Sequence, residues 1–206
     1  MDSAARGPLM LLVVDGSVGE GCVAVQWLDG ASAGRLESAA ATTPQQPLVA
    51  RAATLLPDEA SRSRLVAVLT GVGPGSYTGV RAAASLALGV ASALDIPLLQ
   101  VASDRALVLA CAASGQSTPI VLPLGTREAL VVDEEGSRIA DRSDAPSGAD
   151  LERLVAHLPA ALVRAAADSI DALRSRGWRD DRRGAVREVA IRYPAAPRGA
   201  VERGLS

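Results

Sequence analysis

The sequence predicts an α/β fold with two lobes, and three features indicate this fold. Residues 9–42 show a strand–turn–strand–turn–strand pattern. Residues 65–94 show a strand, a glycine-rich turn and a long helix, and a second hairpin-then-helix pattern begins at Pro119. The chain has 206 residues, of which 49% are hydrophobic, so it is long enough to bury a core in both lobes.

The first lobe is predicted to open with three strands and a helix. Leu9–Val14 is a continuous apolar run, which is typical of a central strand. Gly21–Leu28 forms the second strand and is followed by Asp29-Gly30, a turn signal of hairpins. Gly34–Thr42 is the predicted third strand, and Pro47–Leu56 has the apolar spacing of a helix.

The centre of the chain is a strand, a glycine loop and an alanine-rich helix. Leu65–Thr70 predicts a buried strand, and the good helix formers of Ala82–Ala93 predict the helix, with Ser76 or Thr78 as its cap. The loop between them, Gly71–Gly79, combines glycines with a helix N-terminus and so favours anions. It is not a Walker loop, because all 21 basic residues of the chain are arginine. A tight connection without a ligand is the competing interpretation.

The remaining elements are predicted from similar signals and follow in chain order. They are a strand at Leu98–Val101, a helix at Asp104–Ala113 capped by Ser103, strands at Pro119–Leu124, Glu128–Asp133 and Arg138–Ala140, a helix at Leu151–Leu158 stopped by Pro159, and a helix from Asp168 to near Gly177. The charged residues at 174–187 predict a solvated loop.

Composition excludes several classes of function. A net charge of −2 argues against a protein that grips nucleic acid with its whole surface. The single histidine and the absence of a C-x-x-C pair argue against a zinc site, and Cys22 and Cys111 are expected to be buried thiols. No uninterrupted apolar run approaches the ~18 residues of a membrane span, so we expect a cytoplasmic protein without a membrane segment.

One stretch resembles a known family. Residues 73–81 read Gly-Pro-Gly-Ser-Tyr-Thr-Gly-Val-Arg, after a strand and before an alanine-rich helix that ends at Ile96-Pro97-Leu98. This pattern resembles the signature of the TsaB (YeaZ) family, the non-catalytic partner in bacterial threonylcarbamoyladenosine synthesis on tRNA. The resemblance is strongest over residues 69–103 and extends from Leu9 to Leu158. Relatives carry Asp-Thr-Ser after the first strand, where this chain has Asp15-Gly16-Ser17. Val189–Pro194 loosely resembles the family's C-terminal strand, so the resemblance implies a last strand there.

The resemblance implies the actin/Hsp70-like ATPase fold, which is a ribonuclease H-like fold, with a shortened second lobe. The implied divisions are an N-terminal lobe at 1–102, a reduced C-terminal lobe at 103–197 and a disordered tail at 198–206. The catalytic relative, TsaD, places two metal-binding histidines on the helix related to residues 47–56. This chain has none there, and its one histidine is His157.

The implied function is therefore that of a pseudo-enzyme scaffold, with no metal of its own. It would bind a TsaD-like catalytic subunit, take a TsaE-like ATPase as a further partner, form a homodimer when alone, and meet tRNA only indirectly. Small side chains let a partner helix approach closely. The interface is accordingly predicted on two helices, at Val80, Ala83, Ala84, Ala87, Val90, Ala91, Leu48 and Ala52.

The alternative is a divergent actin-fold nucleotide-binding protein or ATPase that uses the glycine loop. Its phosphate contacts would be Asp15, Ser17, Gly73, Gly75 and Ser76, with ATP or ADP bound at the partner interface as a further possibility. This alternative lacks a second carboxylate loop to hold a metal. A peptidase based on Ser17, Ser76 and His157 has no recognisable triad order.

Overall fold

The computed structural model describes residues 8–29, 32–39, 46–177 and 188–193. Within these ranges the elements follow one another as β1 (Leu9–Asp15), β2 (Cys22–Asp29), β3 (Ser32–Ser38), α1 (Leu48–Leu55), α2 (Glu59–Arg62), β4 (Leu65–Gly71), α3 (Tyr77–Leu94), β5 (Leu98–Val101), α4 (Ser103–Ala113), β6 (Ile120–Leu124), β7 (Glu128–Asp133), β8 (Gly136–Asp141), α5 (Leu151–Ala165) and α6 (Ala167–Ser175).

The first sheet has five strands in the order β3-β2-β1-β4-β5. The strands β1, β2 and β3 form an antiparallel meander, whereas β4 and β5 run parallel to β1. This order and this mixture of directions are those of the ribonuclease H-like fold, so the predicted fold class is confirmed. The carboxyl ends of β1, β4 and β5 consequently lie at one edge of the sheet, where ligand sites of α/β folds are usually found.

Both faces of the first sheet are covered by helices. Met10, Leu12 and Val14 of β1 pack with the small residues of α3 and with α1 on one face. Leu11 and Val13 point to the opposite face and share a core with α4, α5 and the second sheet. Because β1 is buried on both faces, its sequence is a continuous apolar run rather than an alternating one.

The second sheet is an antiparallel meander of β6, β7 and β8. The helix α5 contacts α4 and lies across the first sheet, so the second sheet and the first sheet share one apolar core. In the part of the chain that the structure describes, no further strand follows β8, which fits the predicted shortening of the second lobe.

Most predicted elements are present, with shifted ends. The third strand spans Ser32–Ser38 rather than Gly34–Thr42, whose last residues lie outside the described ranges. The predicted last strand, Val189–Pro194, is not a strand where the structure describes it, at 188–193. The division at residues 102 and 197 stays a prediction, and the predicted tail at 198–206 lies outside the described residues.

The prediction that Pro159 stops a helix is wrong: Pro159 lies inside α5, which continues to Ala165. An interior proline removes a backbone hydrogen bond and costs about 3 kcal/mol. Leu162, Ile170 and Leu173 follow the proline and are buried, and each contributes about 1.5–3 kcal/mol of apolar burial. Together their burial outweighs the cost of the proline.

Candidate functional site

The residues predicted to contact phosphate do come together, at the carboxyl edge of the first sheet. The strand β1 ends at Asp15 and turns through Gly16 and Ser17, and β4 ends beside it and leads into the glycine loop. Neighbouring parallel strands necessarily place their following loops side by side. The strand β5 ends at the same edge and brings in Ser103 at the start of α4.

Asp15 is the centre of this cluster, and it is completely buried. Its Oδ1 accepts hydrogen bonds from the backbone N–H of Ser17, at 2.6 Å, and from the Ser17 hydroxyl. Its Oδ2 accepts a hydrogen bond from the hydroxyl of Ser103 at 2.7 Å, and that hydroxyl in turn accepts one from the N–H of Gly73 at 2.9 Å. One carboxyl group therefore holds the ends of β1, β4 and β5 together.

Burial and hydrogen bonding act in opposite directions on the pKa of Asp15. Burial raises the pKa of the carboxyl group above its ordinary value, although the hydrogen bonds from Ser17 and Ser103 oppose this shift. Both oxygens accept hydrogen bonds from within the chain. Asp15 is thus arranged as a structural link.

Ser103 is the member of this cluster whose role the sequence did not reveal. It was expected to cap the helix that follows, but no side chain caps α4, and Ala102 occupies the capping position. The one sequence feature that could have indicated this role is the position of Ser103 near the end of a strand. Asp15 likewise stands at the end of a strand. Its partner lies 88 residues away, so no local pattern could link the two.

The glycine loop packs against the turn after β1 with no space between the two backbones. A Cβ on Gly16 would lie 2.0 Å from the carbonyl oxygen of Gly79, and a Cβ on Gly75 would lie 2.5 Å from that of Ser17. The N–H of Ser76 donates to the same Ser17 carbonyl at 2.8 Å, and the Ser76 hydroxyl caps α3 by accepting from Gly79. The five predicted phosphate contacts therefore form a closely packed cluster, here called the closed cluster, in which Asp15, Ser17, Gly73 and Ser76 are already hydrogen-bonded within the chain.

Residues 188–193, here called the C-terminal strap, cover this loop from outside. The N–H of Arg192 donates to the carbonyl of Val72 at 2.7 Å, and a Cβ on Gly73 would lie 2.5 Å from the Arg192 carbonyl oxygen. The rings of Tyr193 and Tyr77 are in contact, with centroids 5.3 Å apart. The strap adds a second layer over the place where a nucleotide phosphate was expected.

The interface predicted on α3 has to be corrected. Val80, Ala83, Ala84, Ala87 and Ala91 are buried against the first sheet, as is Ala52 of α1. Of the predicted interface residues only Val90 and Leu48 are half-buried. These small residues allow α3 to lie close to the chain's own strands, so they cannot be offered to a partner.

The opposite side of α3 is exposed and also small. Ala82, Ser85, Gly89 and Ser92, here called the outer stripe, are exposed and recur at helical spacing. A Cβ on Gly89 would have no neighbour within 4 Å. The adjacent helix α1 exposes Val49, whose relative exposure is 60%, together with Ala50, Ala53 and Thr54.

The helix α3 is long and apolar enough, by length and composition alone, to cross a membrane. Its inner face is nevertheless packed on β1 and β4, as in the core of an α/β lobe. The packing of α3 on its own sheet thus explains why the inner face is apolar. The outer face of α3 has no covering element among the described residues.

Other catalytic arrangements find no support in the described residues. His157 lies half-buried on α5, and no hydrogen bond connects it to Ser17 or Ser76. No group of three or more His, Cys, Asp or Glu side chains is placed to hold a metal among the residues that the structure describes. Cys22 and Cys111 are buried free thiols, as predicted.

Comparisons with known proteins agree with this architecture. A family model described as TsaD, tRNA N6-adenosine threonylcarbamoyltransferase, matches residues 46–147. No curated protein sequence matches the chain. A Pseudomonas aeruginosa structure, described as an uncharacterized protein with similarity to peptidase YeaZ, aligns with a TM-score of 0.50 and 24% identity over 69% of this chain and 71% of its own. A second structure, YeaZ from the same organism, has 26% identity, 64% coverage of each chain and a TM-score of 0.44.

Proposed function

We propose that the chain is a TsaB/YeaZ-like protein that acts in the tRNA threonylcarbamoyladenosine pathway as a non-catalytic subunit, which binds and supports a TsaD-like catalytic subunit. The match of residues 46–147 to the TsaD family model supports a role in this pathway. The observation that carries the non-catalytic part is the closed cluster around Asp15, in which both carboxyl oxygens are already bonded.

Two further observations support a non-catalytic role. The helix α1, whose counterpart in TsaD bears metal-binding histidines, contains no histidine. The carboxyl group at the end of β1 is buried, and both of its oxygens accept hydrogen bonds. The chain therefore keeps the fold of its catalytic relatives, while the residues at the sheet edge serve to hold loops together.

The docking surface in this proposal is the outer face of α3 and α1. The outer stripe lets a partner helix approach the α3 backbone closely, and Val49 supplies an apolar contact beside it. A helix pair of the TsaD-like subunit laid against α1 and α3 would bury both. The same face would support a homodimer when the partner is absent.

We extend the proposal to the other partners that the family resemblance implies. A TsaE-like ATPase would join the assembled complex, with ATP or ADP bound only at the subunit interface. Because the chain carries a net charge of −2, tRNA would meet it indirectly, through the catalytic subunit. The assembly would act in the cytoplasm.

The test is co-purification with the TsaD-like subunit of the same host. Gly89→Arg places a long charged side chain on the outer stripe, where a Cβ meets no neighbour, so the lone chain should stay folded. We expect this variant to lose co-elution with the partner, with an affinity lowered by about a hundredfold or more. Ala112→Arg, on the exposed side of α4, is the matched control and should bind like the unchanged chain.

Two results would contradict the proposal. Undiminished co-elution of Gly89→Arg would exclude the outer stripe as the docking surface. A failure of the unchanged chain to capture the TsaD-like subunit at all would exclude the scaffold function.

A further inference from the structure

Both tyrosines of the chain meet at the protein surface, at one end of α3. Tyr77 is the first residue of α3, Tyr193 belongs to the C-terminal strap, and their ring centroids are 5.3 Å apart. Their relative exposures are 48% and 38%, and Val49 is the other large hydrophobic residue that is exposed in the described part of the chain. Tyrosine and arginine are enriched among the residues that dominate the binding energy of protein–protein interfaces.

An arginine is held against this pair of rings. Arg81 stands one helical turn after Tyr77, its guanidinium carbon lies 5.1 Å from the centroid of the Tyr77 ring, and its Nη1 donates to the Tyr77 hydroxyl group. A guanidinium group that is both hydrogen-bonded and placed against a ring loses less rotamer entropy when it binds a partner. The side chain of Arg81 is therefore oriented before a partner arrives.

Arg81 also lies at one end of the outer stripe. It precedes Ala82 in the sequence and stands one helical turn before Ser85, and both of these residues belong to that stripe. The helix α3 contains no other charged side chain among its 18 residues. The part of the docking surface on α3 therefore consists of small uncharged residues with a single positive charge at its N-terminal end.

No carboxylate pairs with Arg81 within the described part of the chain. The ion pairs found there are formed by other arginines, and the first turn of α3 carries no acidic residue. One N–H of the guanidinium group is bonded to Tyr77, a guanidinium group has five such donors, and the residue is exposed to solvent. Carboxylates bind the guanidinium fork through two parallel hydrogen bonds, so an acidic side chain is the partner group that fits Arg81.

We propose that Arg81, Tyr77 and Tyr193 form the anchor of the docking surface, here called the arginine anchor, and that it binds an acidic side chain on a helix of the TsaD-like subunit. This inference rests on the proposed docking function and adds to it the chemistry by which the partner is recognised. The two rings shield the ion pair from water, which makes it stronger than a fully exposed pair. Because Tyr193 belongs to the strap, the strap takes part in docking although it lies outside α1 and α3.

The experiment measures the affinity of the full chain for the TsaD-like subunit of the same host, at low and at high salt. Arg81→Gln removes the charge from an exposed position, and we expect it to lower the affinity at low salt at least about tenfold. Added salt should weaken the binding of the unchanged chain more than that of Arg81→Gln, because salt screens the ion pair that only the unchanged chain forms. Arg105→Gln is the matched control on α4, which covers the opposite face of the sheet, and it should bind like the unchanged chain.

A second variant tests the contribution of the strap. Tyr193→Ala removes one ring and leaves the charge of Arg81 in place, and it should lower the affinity by about three- to tenfold. Circular dichroism establishes that each variant is folded.

Three results would overturn the arginine anchor while leaving the proposed function in place. They are undiminished binding by Arg81→Gln when Gly89→Arg does not bind, an equal salt dependence of Arg81→Gln and the unchanged chain, and undiminished binding by a folded Tyr193→Ala. A failure of the unchanged chain to bind the TsaD-like subunit would instead contradict the proposed function, and the arginine anchor with it.

Discussion

At the residue scale, Asp15 shows how one buried side chain can link the ends of three strands. It stands at the end of β1, where its oxygens reach Ser17 on one side and Ser103 on the other. Because the glycines around it allow the loops to touch, no solvent reaches the carboxyl group. The result is a buried polar network that is fully satisfied by hydrogen bonds, and such networks specify one arrangement of their loops.

The pH dependence of stability should report this burial. Because the pKa of Asp15 is raised above 3.8 in the folded chain, the folded state binds this proton more tightly than the unfolded state does. Its contribution to stability is fully present below pH 3.8 and is lost as the pH rises through the raised pKa. We expect the free energy of unfolding of the unchanged chain, relative to that of Asp15→Asn, to fall across this range.

Urea unfolding of both proteins from acid to neutral pH measures this difference. The comparison with Asp15→Asn cancels the other carboxyl groups, which titrate alike in the two chains. A difference that stays constant with pH would show that Asp15 has an ordinary pKa and is not the buried link described above.

At the scale of the element, α3 is a helix with two small-residue faces that have different roles. The inner face is packed on the first sheet and includes Ala87, which is completely buried. The outer stripe includes Gly89, which has open space around it. Enlarging a small residue should therefore destabilise the chain on the inner face and be tolerated on the outer stripe.

Ala87→Leu and Gly89→Ala should therefore change the free energy of unfolding in opposite directions. Ala87→Leu overfills the space between α3 and the sheet and should destabilise the chain by about 1–3 kcal/mol. Gly89→Ala improves helix propensity without a clash and should stabilise it by about 0.5–1 kcal/mol. Chemical denaturation of both variants measures these changes; a tolerated Ala87→Leu would mean that this face is not packed as described.

At the scale of the whole molecule, the first sheet is enclosed on both faces, and its carboxyl edge is closed as well. Helices α1 and α3 cover one face, and α4 and α5 cover the other. The strap is fixed beside β5 by reciprocal bonds of the Gln100 side chain to Glu188 and Ala190, and by the Arg192–Asp104 ion pair at 3.4 Å. The carboxyl edge of the first sheet is therefore covered by other parts of the described chain.

The isolated chain should hydrolyse ATP no faster than the uncatalysed background. The reason is structural: the N–H groups of Gly73 and Ser76 are already bonded within the chain, and the Asp15 carboxyl group beside the glycine loop is buried. A phosphate-release assay with Mg²⁺, on the chain alone and on its complex, makes this measurement. Turnover by the lone chain that disappears in Asp15→Asn would favour the nucleotide alternative instead.

The sequence by itself determined the elements and the fold class, because these depend on local signals. The apolar run of β1, the glycine loop, the Ser76 cap and the hairpin between β6 and β7 are all specified within a few neighbouring residues. The family signature lies in the same local stretch. These features could be read without knowing what packs against them.

Only the tertiary structure decided which faces and which distant residues meet. Small residues occur on both sides of α3, alanines on the inner face and alanine, serine and glycine on the outer one. The sequence of α3 therefore lacks the contrast between apolar and strongly polar faces that would point one side to the sheet. Asp15 accepts a hydrogen bond from Ser103, which lies 88 positions away in the sequence. Arg51 donates to the turn after β1, about 30 positions away. Such contacts arise from strand order and helix placement, which bring together residues that no local pattern connects.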